Sequence, residues 1–231
     1  MLWDIDGTLM RAPGLGVRAF AAALELVTGS GIRRDHRYDF GGKTDPMIAL
    51  ELLQAMDLQD RADDLIPPML AEVERVYATS GDELRGSSIV MPGVVTLLDA
   101  LATAEARQSV VTGNIEFVAR RKLAAVDLDE RLDLDGGAYG SDHHLRAELV
   151  RLAMDRLGKA GEVDPATTWV IGDTPRDAAC ARDAGVRCIL VATGTFDIGA
   201  LGDLGADAVF ADLSDTDRVL ALVAGHASTV R

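Results

Sequence analysis

The stretch Met1-Leu-Trp-Asp-Ile-Asp-Gly-Thr-Leu-Met10 decides the fold. Two carboxylates, Asp4 and Asp6, close a short apolar run, and Gly7 and Thr8 follow at once. With residues 1–5 as a strand, alternation puts Asp4 and Asp6 on the same side. Gly7 lets the chain turn sharply away. Both acids then stand at the strand's carboxyl end, where open α/β sheets bind ligands. One carboxylate can attack a phosphorus centre while the other carries a proton, provided a cation offsets their repulsion. The pattern D-x-D-G also serves turns and calcium loops. A calcium loop needs further acids and a late Glu, and residues 11–16 supply none. Only Met1, Leu2 and Trp3 precede Asp4, against about five residues for a usual strand. The first strand is therefore expected to be short or to begin upstream of this sequence.

Working outward, Pro13 and Gly14 mark residues 10–14 as a linker. From Leu15 to about Arg85 the pattern is helical, with Val17, Phe20, Ala21, Leu24 and Val27 at helical spacing. Gly29-Ser30-Gly31 stops the first helix. Asp45 is expected as the N-cap of the next, with Pro46 at its first position. A third helix is expected near Ala62 and a fourth from about Pro67 to Ser80. Residues 86–93 form a second linker. From Val94 onward helices alternate with strands: Gln108–Val111, Asp133–Asp135, Thr168–Ile171, Arg187–Val191 and Ala208–Phe210 are the expected strands. Such alternation implies a parallel, doubly wound sheet. The expected architecture is an α/β, Rossmann-like core of residues 1–13 and 92–231. Residues 14–91 are inserted in it as a helical cap over the sheet's carboxyl edge.

The 231 residues are 48% hydrophobic, which suits one core with an insertion or two modest domains. Net charge is −14 and the sequence pI is about 4.6. A diffuse acidic surface argues against nucleic acid or an anionic membrane as partner. Cys180 and Cys188 are too few for a disulfide framework and lie in apolar segments. They read as buried free thiols of a reducing compartment. No apolar run approaches a membrane span, and no signal peptide precedes the first motif. The expectation is a cytoplasmic monomer or homodimer.

Three strand ends carry polar chemistry: Asp4/Asp6, Thr112-Gly113-Asn114, and Gly172-Asp173-Thr-Pro-Arg-Asp177. In a parallel sheet such ends face the same way. The ordered set D-x-D-G-T, T-G-N and G-D-x-x-x-D resembles the haloacid dehalogenase superfamily of hydrolases over essentially the whole chain. The resemblance implies Asp4 as a nucleophile that forms an aspartyl-phosphate, and Asp6 as the acid and base. It implies that Thr112 holds a phosphoryl oxygen, with the backbone around Gly113 and Asn114 assisting. It implies Mg²⁺ bound by Asp4, Asp173 and the backbone carbonyl of Asp6, with Asp177 a direct ligand or a neighbour of one. Oxygen-only ligands suit Mg²⁺, which neutralises charge between a carboxylate and a phosphate dianion. Leaving-group protonation by a carboxyl in the role implied for Asp6 calls for a raised pKa, an effect that nearby negative charge can have.

The family also implies an active-site cation, normally a Lys followed by Pro at the start of the helix after the third strand. That dipeptide is missing. Arg146 opens the expected helix there. Lys122 is the competitor, eight residues beyond Asn114 and thus about 12 Å along a helix. Geometry at this level favours Arg146. His143 and His144 read as a surface loop. In the cap, Gly41-Gly42-Lys43-Thr44-Asp45 looks like the cap loop of phosphoglycolate phosphatase relatives, with Lys43 a candidate substrate contact or a plain surface lysine. The expected activity is hydrolysis of a small phosphorylated metabolite. A phosphomutase and a catalytically silent binding protein are the alternatives.

Overall fold

The computed structural model describes residues 1–31, 40–159, 161 and 163–227. Positions 32–39 of the expected helical stretch lie outside the described residues. Six strands form one parallel sheet: β1 (Leu2–Trp3), β4 (Ser109–Val111), β5 (Asp133–Ala138), β6 (Trp169–Gly172), β7 (Arg187–Val191) and β8 (Ala208–Phe210), in the order β5-β4-β1-β6-β7-β8. Among the described residues, the other strands, β2 (Met10–Arg11) and β3 (Ile89–Val90), pair antiparallel with each other. The two expected linkers are thus tied together as a ribbon. Met91 extends it by donating its N–H to the Leu9 carbonyl at 3.0 Å.

β1 is two residues long but central. Leu2 pairs with Ser109 and Val170, and Trp3 with Val110 and Ile171. Both side chains are fully buried, on opposite faces of the sheet. Leu2 packs with residues of α7 (Arg146–Gly158) and α8 (Pro175–Ala184), and Leu201 of α9 (Ile198–Gly202) joins that layer. Trp3 packs with α5 (Val94–Thr103), part of α6 (Glu116–Ala125) and Val219 of α10 (Thr216–Ala227). The sheet is therefore a doubly wound three-layer core. The chain winds outward from β1 through β4 to one side and through β6 to the other, so the carboxyl ends of these three strands flank a topological switch point.

Between the ribbon strands lie α1 (Leu15–Thr28), α2 (Asp45–Gln54), α3 (Ala62–Thr79) and α4 (Gly81–Ser87). They share a hydrophobic cluster that includes Phe20, Leu24, Ile48, Leu52, Met69, Val73 and Tyr77, together with Ile115 and Val118 at the start of α6. Two expectations are revised here. The third and fourth helices are one. Leu65, Met69, Val73 and Tyr77 form a single buried stripe that carries the helix through Pro67 and Pro68. The cap of α2 is Thr44, which puts Asp45 inside the first turn.

Candidate active site

Past Trp3 the chain adds one more ladder bond, Asp4 N–H to the Ile171 carbonyl at 2.9 Å. It then winds around the Ile5 carbonyl, which accepts from the N–H groups of Leu9 and Met10, each at 3.0 Å. Gly7 takes φ 84° in this turn, a left-handed conformation that glycine adopts without strain. The turn gives the two carboxylates different surroundings. Asp4 is buried, whereas the side chain of Asp6 remains 47% exposed. They also acquire different cations.

Asp4 Oδ1 lies 3.3 Å from Arg146 Nη2, and the same nitrogen donates to Asp177 Oδ1. Arg146 opens α7 as expected, and its guanidinium bridges two acids that come from different strand ends. Asp6 Oδ2 accepts from Lys122 Nζ at 2.6 Å and from Asn114 Nδ2 at 2.7 Å. Lys122 Nζ also donates to Asn114 Oδ1 at 2.7 Å. The expectation that Lys122 stands too far away is therefore overturned. α6 begins at Glu116, so the rise to Lys122 is roughly 9 Å rather than 12 Å. Helical side chains also lean toward the N-terminus, which brings the ammonium back toward the strand end. Lys122 is 5% exposed and is not a solvated helix residue. Its Nζ stands 5.6 Å from the centre of the Tyr77 ring.

Thr112 is fully buried at the end of β4, and its Oγ1 accepts from Asn114 Nδ2 at 2.9 Å. Gly113 has no room for a Cβ, which would collide with the Lys43 carbonyl. The Gly113 carbonyl accepts from Asp45 N–H at 2.7 Å, and Asp45 Oδ2 accepts from Ile115 N–H at 2.8 Å. The start of α2 is thereby docked on the Thr112–Asn114 loop. Lys43 is held by Glu51 at 2.5 Å and lines the cavity above the acids. His143 accepts from Leu145 N–H at its own loop and does not line that cavity.

Carboxylate oxygens of Asp4, Asp173 and Asp177 lie within 4.8 Å of one another. Asp173 is cradled by Gly7 and Gly194, where a Cβ would strike its carboxylate, and Thr8 donates to its Oδ1 at 3.2 Å. Gly194 thus contributes its close-packed backbone to the site. Asp177 is fully buried and fully engaged: Oδ2 accepts from Thr174 N–H at 3.0 Å and Thr174 Oγ1 at 2.7 Å, while Oδ1 holds Arg146. Burial drives the pKa values of Asp4 and Asp173 well above the usual carboxylate range. Arg146 pulls Asp4 back, and Asp177 adds to the rise at both. Burial likewise pushes Asp45 up to about 7, against the pull of Lys122. Crowded buried acids with oxygen ligands are the donor set that a hard divalent cation relieves.

A family model described as haloacid dehalogenase-like hydrolase matches residues 1–182. The chain belongs to that family. Among its haloacid dehalogenase-like relatives, the chain is 36% identical over 223 residues to a phosphoglycolate phosphatase of Rhodospirillum rubrum, covering 93% of this chain and 87% of the relative. It is 30% identical over 221 residues to a plasmid-borne phosphoglycolate phosphatase of Cupriavidus necator, covering 95% and 92%. A solved hydrolase from Pseudomonas syringae superposes with a TM-score of 0.71 at 22% identity, covering 95% of each chain. That last likeness is one of fold. No helix among the described residues is long and apolar enough to cross a membrane.

Sequence reasoning missed Asp45, Tyr77 and Arg11 in this hydrolase. Asp45 was visible only as a local helix-start signal, and its partner lies 70 positions away. Tyr77 belonged to an ordinary apolar stripe. Arg11 Nη2 donates to the Thr193 and Gly194 carbonyls, beside Asp173, and nothing in its sequence neighbourhood signals that contact.

Proposed function

We propose that this hydrolase is a Mg²⁺-dependent phosphatase that cleaves a small phosphate monoester through an aspartyl-phosphate on Asp4. The observation that carries the reading is a buried carboxylate, Asp4, at the end of the central strand, facing a cavity and flanked by Arg146, Asp173 and Thr112. Asp4 attacks phosphorus, and the ester P–O bond breaks. Asp6 gives its proton to the departing oxygen. Asp6 then takes a proton from water, whose oxygen attacks phosphorus and releases inorganic phosphate, restoring Asp4. Thr112 Oγ1 and the amides of Gly113 and Asn114 hold the phosphoryl oxygens. Arg146 favours the ionised form of Asp4 against the burial that raises its pKa, and Lys122 with Asn114 holds Asp6 in place.

Asp4, Asp173 and the backbone carbonyl of Asp6 are the groups suited to hold Mg²⁺. When bound, it neutralises charge between the nucleophile and the phosphate dianion. Asp177, with both oxygens taken, fits the part of a residue that positions Arg146. The helical block of residues 14–91 acts as the cap that closes the cavity from water. The relatives' names make 2-phosphoglycolate the reference substrate.

The test is phosphate release from a panel of phosphorylated metabolites, with Mg²⁺ and with EDTA. Mg²⁺-dependent release is the expected result. Release that EDTA leaves unchanged would refute the metal dependence, and no release from any ester would refute the phosphatase.

A further inference from the structure

The cavity over Asp4 has two unlike halves. One holds the acids, Thr112, Lys122 and Arg146. The other is walled by Val17, Phe20, Phe40, Ile48, Val73 and Tyr77, drawn from α1, α2, α3 and the loop before α2. The Phe20 and Phe40 rings pack at 5.7 Å between centroids. The whole space is about 490 Å³, inside the range of roughly 300–1,000 Å³ of sites that enclose drug-sized ligands. A glycolate leaving group would leave most of it unfilled.

Charge points the same way. Glycolate would bring a carboxylate into the second half. Among the described residues, the cations that line the cavity are already engaged. Arg11 holds the Thr193 and Gly194 carbonyls, and Lys43 holds Glu51. Lys122 holds Asp6 and Asn114, and Arg146 holds Asp177 and Asp4. A carboxylate set against Phe20 and Val73 would have to compete for one of these engaged cations or go unpaired, which is penalised, whereas apolar surface there leaves water favourably.

We propose that the substrate is a phosphate monoester whose leaving group carries an apolar, ring-sized body seated between α1, α2 and α3, rather than a short carboxylated alcohol. This rests on the phosphatase reading above and narrows its substrate class.

The experiment has a turnover arm and a binding arm, both with Mg²⁺. Turnover is measured on methyl, propyl, pentyl and 2-phenylethyl phosphate, esters of primary alcohols, and on 2-phosphoglycolate. kcat/KM is expected to rise about fourfold per methylene, with 2-phenylethyl phosphate above 2-phosphoglycolate. Val17 lines the mouth and is 52% exposed, so Val17→Asp folds normally. That variant narrows the ratio of 2-phenylethyl to methyl phosphate severalfold. A flat ladder, preference for 2-phosphoglycolate, or an unchanged ratio in Val17→Asp overturns the proposal. The binding arm compares 2-phenylethylphosphonate with phosphonoacetate by calorimetry. Binding of the first at least about tenfold tighter, the gain of two or so buried methylenes, supports the apolar half even if no ester is hydrolysed, in which case the phosphatase reading alone fails. Equal or weaker binding overturns it whatever the turnover.

Discussion

Replacing Arg146 with methionine keeps an unbranched stem and deletes the guanidinium that bridges Asp4 and Asp177. All three side chains are under a tenth exposed, so water screens little of the change. Removing one partner of a buried ion pair costs about 3–5 kcal/mol, because the remaining charge stays buried and uncompensated. For a chain of this size each kcal/mol moves Tm by about 2–4 °C. Arg146→Met is therefore expected to lower Tm by roughly 6–20 °C in EDTA at neutral pH. In Arg146→Met combined with Asp177→Asn, one of the two stranded acids is neutral. The double variant should then be more stable than the sum of the single losses by about 1–3 kcal/mol. The assay is urea unfolding of the wild type, both single variants and the double, with stability read from midpoint and slope. Losses that add to within about 0.5 kcal/mol would refute the bridge.

Lys122→Met frees Asp6 from its ammonium and leaves the Asn114 carbonyl without that donor. kcat/KM for any hydrolysed ester should fall about a hundredfold, the low end of what a positioned proton donor contributes, and wild-type kinetics would show that holding Asp6 in this way does not serve catalysis. Gly113→Ala places a Cβ against the Lys43 carbonyl and so pushes the start of α2 off the Thr112–Asn114 loop. Activity should drop while the sheet stays folded, and an unaffected rate would show that the close approach is unimportant. Asp45→Asn keeps an oxygen for the Ile115 N–H. The folded-state pKa of Asp45, raised to about 7, lies above its unfolded value. Its stabilising share is therefore complete at pH below about 4 and is lost as pH rises through 7. Relative to wild type the Asn variant should gain stability across that window, by at most about 4 kcal/mol. A difference that stays constant with pH would contradict the burial of that charge.

The sheet was legible because its strands announce themselves locally. Ser109–Val111 and Trp169–Gly172 are fully buried, largely apolar runs followed by polar residues, and short buried runs bounded by turn residues read as parallel strands. Arg146 was legible because its position at the start of a helix is a one-dimensional fact. Lys122 was misjudged because distance along a helix is not distance from a side-chain tip. The spacing that brings Asp177 beside Asp4 and Asp173 is legible, whereas its bonds to Thr174 and Arg146 are long-range or side-chain contacts that no spacing reveals. α4 falls mostly within the stretch expected to be helical to about Arg85, but Gly81 and the linker signal from Gly86 hide it as a separate helix. Its single buried residue, Leu84, anchors it to the helical cluster. Both cysteines are buried and free, as their apolar surroundings implied.

The most direct test of the central claim is the fate of the phosphoryl group. The enzyme is mixed with a hydrolysed ester and Mg²⁺, quenched in acid within the first turnover, and digested for mass spectrometry. The peptide that carries Asp4 should gain the mass of one phosphoryl group, and Asp4→Asn should lose both the adduct and the turnover while keeping its fold. Steady phosphate release with no protein-bound phosphoryl at any quench time, together with wild-type turnover in Asp4→Asn, would contradict the account.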